Sequence, residues 1–190
     1  VSGWNLNLDE VYSYAWQLNV FSKEECSKII TYATQQDFQK AVTVRPERNY
    51  MRASTNVHWL HPKDEIAWVY ERLASLVLNL NEKYFKFNIF GLNESLQFTH
   101  YHKKGACYRK HVDRGHNRPV RKLSVSIQLT ESSLYEGCDL LLYNEETPYT
   151  CKRDIGSATV FPSYTLHEVT ELQQGERFAL VTWVTGESFK

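Results

Sequence analysis

Residues 123–129, LSVSIQL, alternate without a break. Leu123, Val125, Ile127 and Leu129 leave an extended chain on one side, and Ser124, Ser126 and Gln128 leave it on the other. A helix would scatter both sets around its circumference, so the segment reads as a strand with one apolar and one polar face. ESLQFTHY (94–101) repeats the pattern, with Gln97, Thr99 and Tyr101 in a polar row opposite Leu96 and Phe98. ATVFP (158–162) and RFALVTWV (177–184) are also strand-like. A polar row can face water, as in many antiparallel sheets, or line the wet interior of an open barrel that holds a polar ligand. Alternation leaves both readings open.

The first half of the chain has a different period. Ser22 precedes a run in which Cys26, Ile29, Ile30 and Ala33 recur at helical spacing, and Glu25 stands three residues past Ser22, as in a capping box. Cys26 therefore reads as core rather than chemistry. A second helix is predicted over PKDEIAWVYERLASLVLNLNEKYF (62–85), with Ile66, Val69, Tyr70, Leu73, Leu76, Val77 and Leu80 as its apolar stripe and acidic residues in its first turn. Residues 41–60 between the helices read as a strand, a basic arm and a second strand. Two helices followed by many short strands predict an α+β chain, mainly β, with helices supporting one side of a sandwich or barrel. We expect a single domain over 1–190, in which 1–93 supplies helical support and a substrate loop and 94–190 the core with the site.

Charge and composition remove several functions. Lys and Arg together equal Asp and Glu together, so the chain as a whole has no long-range attraction to nucleic acid or an anionic membrane. No apolar run approaches the roughly 20 residues that span a bilayer, and the first residues carry no signal-peptide pattern. Cys26, Cys107, Cys138 and Cys151 form no CxxC pair, so free thiols and a cytoplasmic setting are expected.

The chemistry concentrates in HVDRGH (111–116). His111 and Asp113 are two apart, so on an extended segment their side chains point the same way. An imidazole and a carboxylate make an incomplete metal site, and a third ligand must come from His58, His61, His100, His102, His116 or His167. His167 follows a strand and turn and precedes another strand. Two histidines and one carboxylate on a β scaffold, with half the coordination sphere open, form the facial triad of non-haem Fe(II) oxygenases. Ten residues past His167 stands Arg177, on one face with Ala179, Val181 and Trp183. Buried, that guanidinium needs an anion, which a dicarboxylate cosubstrate can supply to its fork; exposed, it is a strand-start residue after a turn.

The order YxxxxxxYxxHxD (Tyr101, Tyr108, His111, Asp113), then LSVSIQL, EGCDLLL, GSATVFPSYTLHEV and GERFALVTWV, resembles the Fe(II)- and 2-oxoglutarate-dependent dioxygenases of the prolyl 4-hydroxylase-like family. The resemblance covers the last hundred residues well and extends to FSKEECSKII and MRASTNVHWL. It implies a double-stranded β-helix, a distorted jelly roll with supporting N-terminal helices. It also implies that His111, Asp113 and His167 bind iron, that Arg177 binds the far carboxylate of 2-oxoglutarate, and that Tyr101, Gln128, Thr159 and Trp183 border the cosubstrate. Fe(II), 2-oxoglutarate and O2 are then the cofactors, ascorbate being a compatible addition, and no general base is required beyond the ligands.

Two positions depart from the family's pattern. Many prolyl hydroxylases carry a tyrosine where Gln128 stands, so here an amide is expected to donate to the far carboxylate. The family's usual Gly-Gly turn is Gly137-Cys138. Asp113 argues against a halogenase, in which a small residue leaves room for halide.

The resemblance implies prolyl hydroxylation of a protein or peptide, with succinate and CO2 as coproducts. Arg45, Arg48, Tyr50 and Arg52 on the basic arm, with Arg114 and His116 past the ligands, are the candidate substrate contacts; all six also suit solvated loops. Hydroxylation of a free amino acid or other small molecule is the alternative in the same class. A nucleic-acid demethylase is disfavoured, because such enzymes place a second arginine after the first and this chain has none there. A non-catalytic metal-binding β-fold is disfavoured by the intact ligand set. Oligomeric state is not legible.

Overall fold

The computed structural model describes residues 12–35, 39–40, 52–53, 55–114 and 120–188. In chain order its elements are β1 (Ala15–Gln17), α1 (Lys23–Thr34), β2 (Gln39–Lys40), β3 (Arg52–Ala53), β4 (Thr55–Leu60), α2 (Asp64–Leu80), β5 (Ile89–Leu92), β6 (Leu96–Tyr101), β7 (Cys107–His111) and β8 (Arg121–Gln128). There follow β9 (Tyr135–Gly137), β10 (Leu140–Leu142), β11 (Tyr149–Thr150), β12 (Ala158–Pro162), β13 (His167–Val169), β14 (Leu172–Gly175) and β15 (Arg177–Gly186).

The capping box closes as expected: Glu25 N–H donates to Ser22 Oγ at 3.2 Å, and Ser22 N–H to Glu25 Oε2 at 2.8 Å. Cys26, Ile29 and Ala33 are buried along α1. The Glu25 carboxylate also accepts from Arg72 Nη1 at 2.5 Å, tying the start of α1 to α2. The predicted stripe of α2 is buried, except that Tyr70 is half-exposed and uses its hydroxyl to join strands. It donates to Leu60 O at 2.6 Å and accepts from Leu96 N–H at 3.0 Å. The α-helix stops at Leu80, with the last residue of the apolar stripe and five residues before the end of the predicted helix. Residues Asn81–Phe85 form a π-turn ended by Lys86 at φ +55°, because the Asn81 amide bonds both N–H and C=O of Phe87 and draws the chain out of the helical ladder.

An eight-stranded antiparallel sheet runs β1-β12-β8-β15-β6-β4-β2, with β5 also on β15, and a five-stranded sheet runs β11-β10-β13-β7-β3. This is the jelly roll. One face of the large sheet presents Leu96, Phe98, Leu123, Val125, Ile127, Leu180 and Val184 to the same buried core as the apolar stripes of α1 and α2. The other face carries Gln97, Thr99, Ser124, Ser126 and Arg177 into a cavity. Both polar rows thus turn inward, since the helices cover the apolar side. Among the described residues no helix is long and apolar enough to cross a membrane. All four cysteines are free thiols in the interior.

Gly156 fastens α1 to the sheet. Its carbonyl accepts from Val20 and Phe21 N–H at 2.9 and 3.2 Å, and its own N–H donates to Gln128 O at 2.7 Å. Its φ is +74°, and a Cβ there would stand 1.8 Å from Phe21 O. Gly156→Ala adds a left-handed cost of about 1–2 kcal/mol to that clash. At about 2–4 °C per kcal/mol for a chain of this size, the melting temperature should fall by at least about 3 °C in a calorimetric scan. An unchanged melting temperature would contradict this account of the joint.

Candidate metal centre and anion pocket

Strands β7 and β13 are paired with His111 opposite His167, so the last residue of one and the first of the other bring two imidazoles together. Their ring centroids are 4.2 Å apart. Asp113 lies just past β7, where Asp113 and Arg114 N–H both donate to Ser163 O at 3.0 Å. Arg121 Nη1 donates to Asp113 O at 3.3 Å from the other side. The Asp113 carboxylate oxygens then stand 3.6 Å from His111 Nε2 and 3.5 Å from His167 Nε2. One donor atom from each of the three residues falls within a 4.8 Å cluster.

The second coordination shell decides which nitrogens face inward. His111 Nδ1 lies 2.7 Å from Arg109 O, and His167 Nδ1 lies 2.9 Å from Thr165 O. A carbonyl can only accept, so both Nδ1 atoms carry the proton and both Nε2 lone pairs are directed at the cluster. Ser124 Oγ donates to Asp113 Oδ2 at 2.7 Å and is itself 3.0 Å from Ser163 Oγ. Burial pushes the Asp113 carboxyl up, but the two imidazoles and the Ser124 hydroxyl outweigh it and bring it down to about 2. The Trp183 indole N–H faces the same carboxylate and adds to that pull without closing a hydrogen bond of normal geometry. Two imidazole nitrogens and one ionised carboxylate, oriented before any ion arrives, fit a divalent first-row metal such as Fe(II).

Arg177, Ser126 and Leu140 stand between the cavity at this cluster and a second one beyond it, lining both. Arg177 is buried at 4% exposure, and no carboxylate among the described residues lies within ion-pair reach of it. Burial works against its charge, but the Cys138 sulfur and the Tyr101 and Tyr135 phenols favour it, and the guanidinium stays protonated above its ordinary value. Burial raises the Cys138 thiol, and it pushes the Cys151 thiol up to about 12 against the Thr159 hydroxyl. These thiols are therefore neutral at physiological pH and leave the positive charge uncompensated. A buried cation without a carboxylate partner gains most from an anion that joins it, so this end of the cavity has the chemistry to receive one.

Tyr101 lies in the cavity wall with its ring centre 5.4 Å from the Arg177 guanidinium carbon. Thr159 lines the second cavity beside Arg177. Trp183 stands instead at the metal end, its ring 3.7 Å beneath the Arg121 guanidinium, which a bidentate pair with Glu94 holds in place. Gln128 occupies the expected place but not the expected posture. Its Oε1 accepts from Arg177 Nε at 3.0 Å, and its Nε2 donates to Thr130 O at 2.9 Å and Tyr135 Oη at 2.8 Å. Guanidinium can only donate, which fixes the amide's orientation, and both amide hydrogens are then used inside the protein. No hydrogen remains on Gln128 for a ligand carboxylate.

The other described histidines stay away from the cluster. His61 Nδ1 is 2.7 Å from Ser95 Oγ, and His100 meets Glu176 at 3.2 Å and stacks on Phe178. Arg114 is exposed next to Asp113. Arg45, Arg48, Tyr50 and His116 lie outside the described residues. Of Arg52 only the backbone is described, paired through β3 with Tyr108 on β7, so the end of the basic arm lies along the strand that carries His111. Arg121, Ser163 and Tyr135 join the site without having stood out in the sequence, and Cys138 stood out there only as a departure from the family's turn. Ser124 was legible there only as a member of a polar row.

Residues 96–185 match the sequence model of the 2OG-Fe(II) oxygenase superfamily. A PKHD-type hydroxylase of Prochlorococcus marinus (strain MIT 9215) is 35% identical over 98 residues, which are 50% of this chain and 44% of that protein. The chain spans about half the length of the curated relatives it matches. The crystal structure of a Pseudomonas putida prolyl-4-hydroxylase superposes with a TM-score of 0.75 at 19% identity, covering 93% of this chain and 94% of that one. A prolyl hydroxylase from Trichoplax adhaerens, in complex with a hypoxia inducible factor oxygen degradation domain peptide fragment, also gives 0.75 at 19%, covering 92% and 84%. At such identities the solved structures establish the fold.

Proposed function

With residues 96–185 belonging to the 2OG-Fe(II) oxygenase superfamily, we propose that the protein is a non-haem Fe(II)- and 2-oxoglutarate-dependent dioxygenase that hydroxylates prolyl residues in a protein or peptide. Succinate and CO2 are its coproducts. The observation that carries this reading is one cavity wall with a preoriented His–Asp–His cluster at one end and an uncompensated buried guanidinium at the other. An oxo-acid that chelates a metal and ends in a second carboxylate satisfies both.

In this reading His111 Nε2, Asp113 and His167 Nε2 hold Fe(II), and Arg177 receives the far carboxylate with Tyr101 and Thr159 at its sides. Bound Fe(II) and 2-oxoglutarate supply the oxygen activation and hydrogen abstraction; the chain supplies position and exclusion of water. Trp183 walls the metal end. Gln128 acts through Arg177, fixing Nε so that the outer fork is aimed rather than mobile. Arg114 and His116, and Arg45, Arg48, Tyr50 and Arg52 on the arm, are the proposed substrate contacts. The backbone pairing of Arg52 with Tyr108, on the strand that ends at His111, supports such a role for the arm. A peptide substrate is supported by the prolyl hydroxylase of Trichoplax, whose structure holds one. We further read residues 1–190 as a single oxygenase domain, with 1–93 as support, and take the four free thiols as support for a cytoplasmic setting.

The test is oxygen-dependent succinate release across proline-rich peptides, free amino acids and oligonucleotides. Release stimulated by proline-rich peptides, with hydroxyproline found by mass spectrometry, is the expected outcome. Stimulation only by free amino acids would move the substrate to a small molecule, and stimulation only by a methylated oligonucleotide would overturn prolyl hydroxylation.

A further inference from the structure

The amide of Gln128 spends both hydrogens internally, and one goes to Tyr135 Oη. A phenol oxygen that accepts from Gln128 keeps its own hydrogen to give, and no described residue accepts it. Tyr135 is buried, lies in the wall of the second cavity with Arg177, and is close enough to that guanidinium to favour its charge. A buried hydroxyl hydrogen beside an uncompensated cation is a donor that lacks its acceptor, and the acceptor chemistry that suits both is a carboxylate. We propose that Tyr135 donates its phenol hydrogen to the far carboxylate of the oxo-acid bound by Arg177, and so supplies the hydrogen bond that Gln128 has none left to give. This rests on the oxygenase reading above and names a further residue that selects the cosubstrate.

The local structure holds Tyr135 for such a task. The Arg153 guanidinium carbon lies 4.3 Å from its ring centre, and Arg153 Nη2 donates to Tyr135 O at 2.9 Å. On its backbone side, Gly175 at φ +78° lets the next strand approach so closely that a Cβ there would be 2.9 Å from Tyr135 Cα. With the backbone clamped, the ring packed and the oxygen tied to Gln128, the hydroxyl has little freedom but the rotation of its hydrogen. A dicarboxylate would therefore meet a preorganised three-part receptor, the Arg177 fork, its Gln128 brace and the Tyr135 hydroxyl.

Anaerobic titration of the Fe(II)-loaded protein with 2-oxoglutarate, followed by its visible absorbance, gives a dissociation constant without turnover. Tyr135→Phe should weaken 2-oxoglutarate about tenfold, the size expected for one hydrogen bond to a charged group. Binding of 2-oxovalerate, which chelates identically but has no far carboxylate, should change less than twofold. Gln128→Met, which releases the phenol oxygen and Arg177 Nε together, should weaken 2-oxoglutarate by more than Tyr135→Phe does. It also serves as the second variant should Tyr135→Phe melt early. Unchanged 2-oxoglutarate affinity in either variant, or equal weakening of both oxo-acids in Tyr135→Phe, would overturn the assignment. A wild-type protein that binds neither oxo-acid would instead overturn the oxygenase reading.

Discussion

Arg177→Met is expected to remove most of the stabilisation of the protein by 2-oxoglutarate while leaving the unliganded protein close to wild-type stability. The two halves of this outcome have one cause. Arg177 is buried without a carboxylate partner among the described residues, so in the empty protein the desolvation of its charge is offset only by the Cys138 sulfur and the Tyr101 and Tyr135 phenols. An unbranched apolar side chain of similar length removes that cost, and such replacements of buried charges are neutral or stabilising by about 1–4 kcal/mol. With ligand present the sign reverses, because the guanidinium fork is the group that meets the anion. Loss of one member of a buried charged pair costs about 2–5 kcal/mol in binding, so the affinity for 2-oxoglutarate should fall by at least about thirtyfold. Anaerobic melts with Fe(II) read both effects. At 2-oxoglutarate about a hundredfold above the wild-type dissociation constant the wild type gains about 2.7 kcal/mol, or about 5–10 °C, and the variant should gain no more than about 0.9 kcal/mol, or about 3 °C, at that concentration. A variant that melts several degrees below wild type without ligand, or keeps the ligand-induced gain, would show that Arg177 is a structural residue.

The second large effect is expected from His167→Ala. Anaerobic Fe(II) with 2-oxoglutarate should give the wild type a weak metal-to-ligand band in the visible region, and the variant none. Three donor atoms within 4.8 Å form the site, and both imidazoles are held by carbonyls that are already in place before the metal binds. Removing one leaves a single imidazole and a carboxylate, too few for a stable chelate. Acid should imitate the mutation, since protons compete with the metal for Nε2 and affinity falls as pH is lowered. The Asp113 carboxyl is held down at about 2, so it stays ionised far below neutral pH. A band of wild-type strength in His167→Ala would remove His167 from the ligand set.

The parts of this site differ in how far the chain order discloses them. His111 and Asp113 were legible as a pair because two-residue spacing on an extended chain puts both side chains on one side. His167 was one of six remaining histidines until the family pattern singled it out, and the register of β13 on β7 then sets it opposite His111. The polar rows on β6 and β8 were legible as rows, but their direction was not. Alternation fixes which residues share a face, and only the helices packed on the apolar side turn the other face inward. Gln128 shows the limit most plainly. Its place where many prolyl hydroxylases carry a tyrosine suggested a donor to the ligand, yet Thr130 O and Tyr135 Oη take both of its hydrogens. Tyr135, seven residues further on in a strand of three, carries no local signal of any role.

The amino-acid sequence by itself determined the periods, the capping box, the inward-capable faces and the ligand types, because each follows from the geometry of a few consecutive residues. Only the tertiary structure decided which way the polar rows face, which hydrogens remain free and whether Arg177 has a counter-ion. Those are properties of atoms that meet across strands far apart in the chain, where a donor already satisfied by a neighbour has nothing left for a ligand.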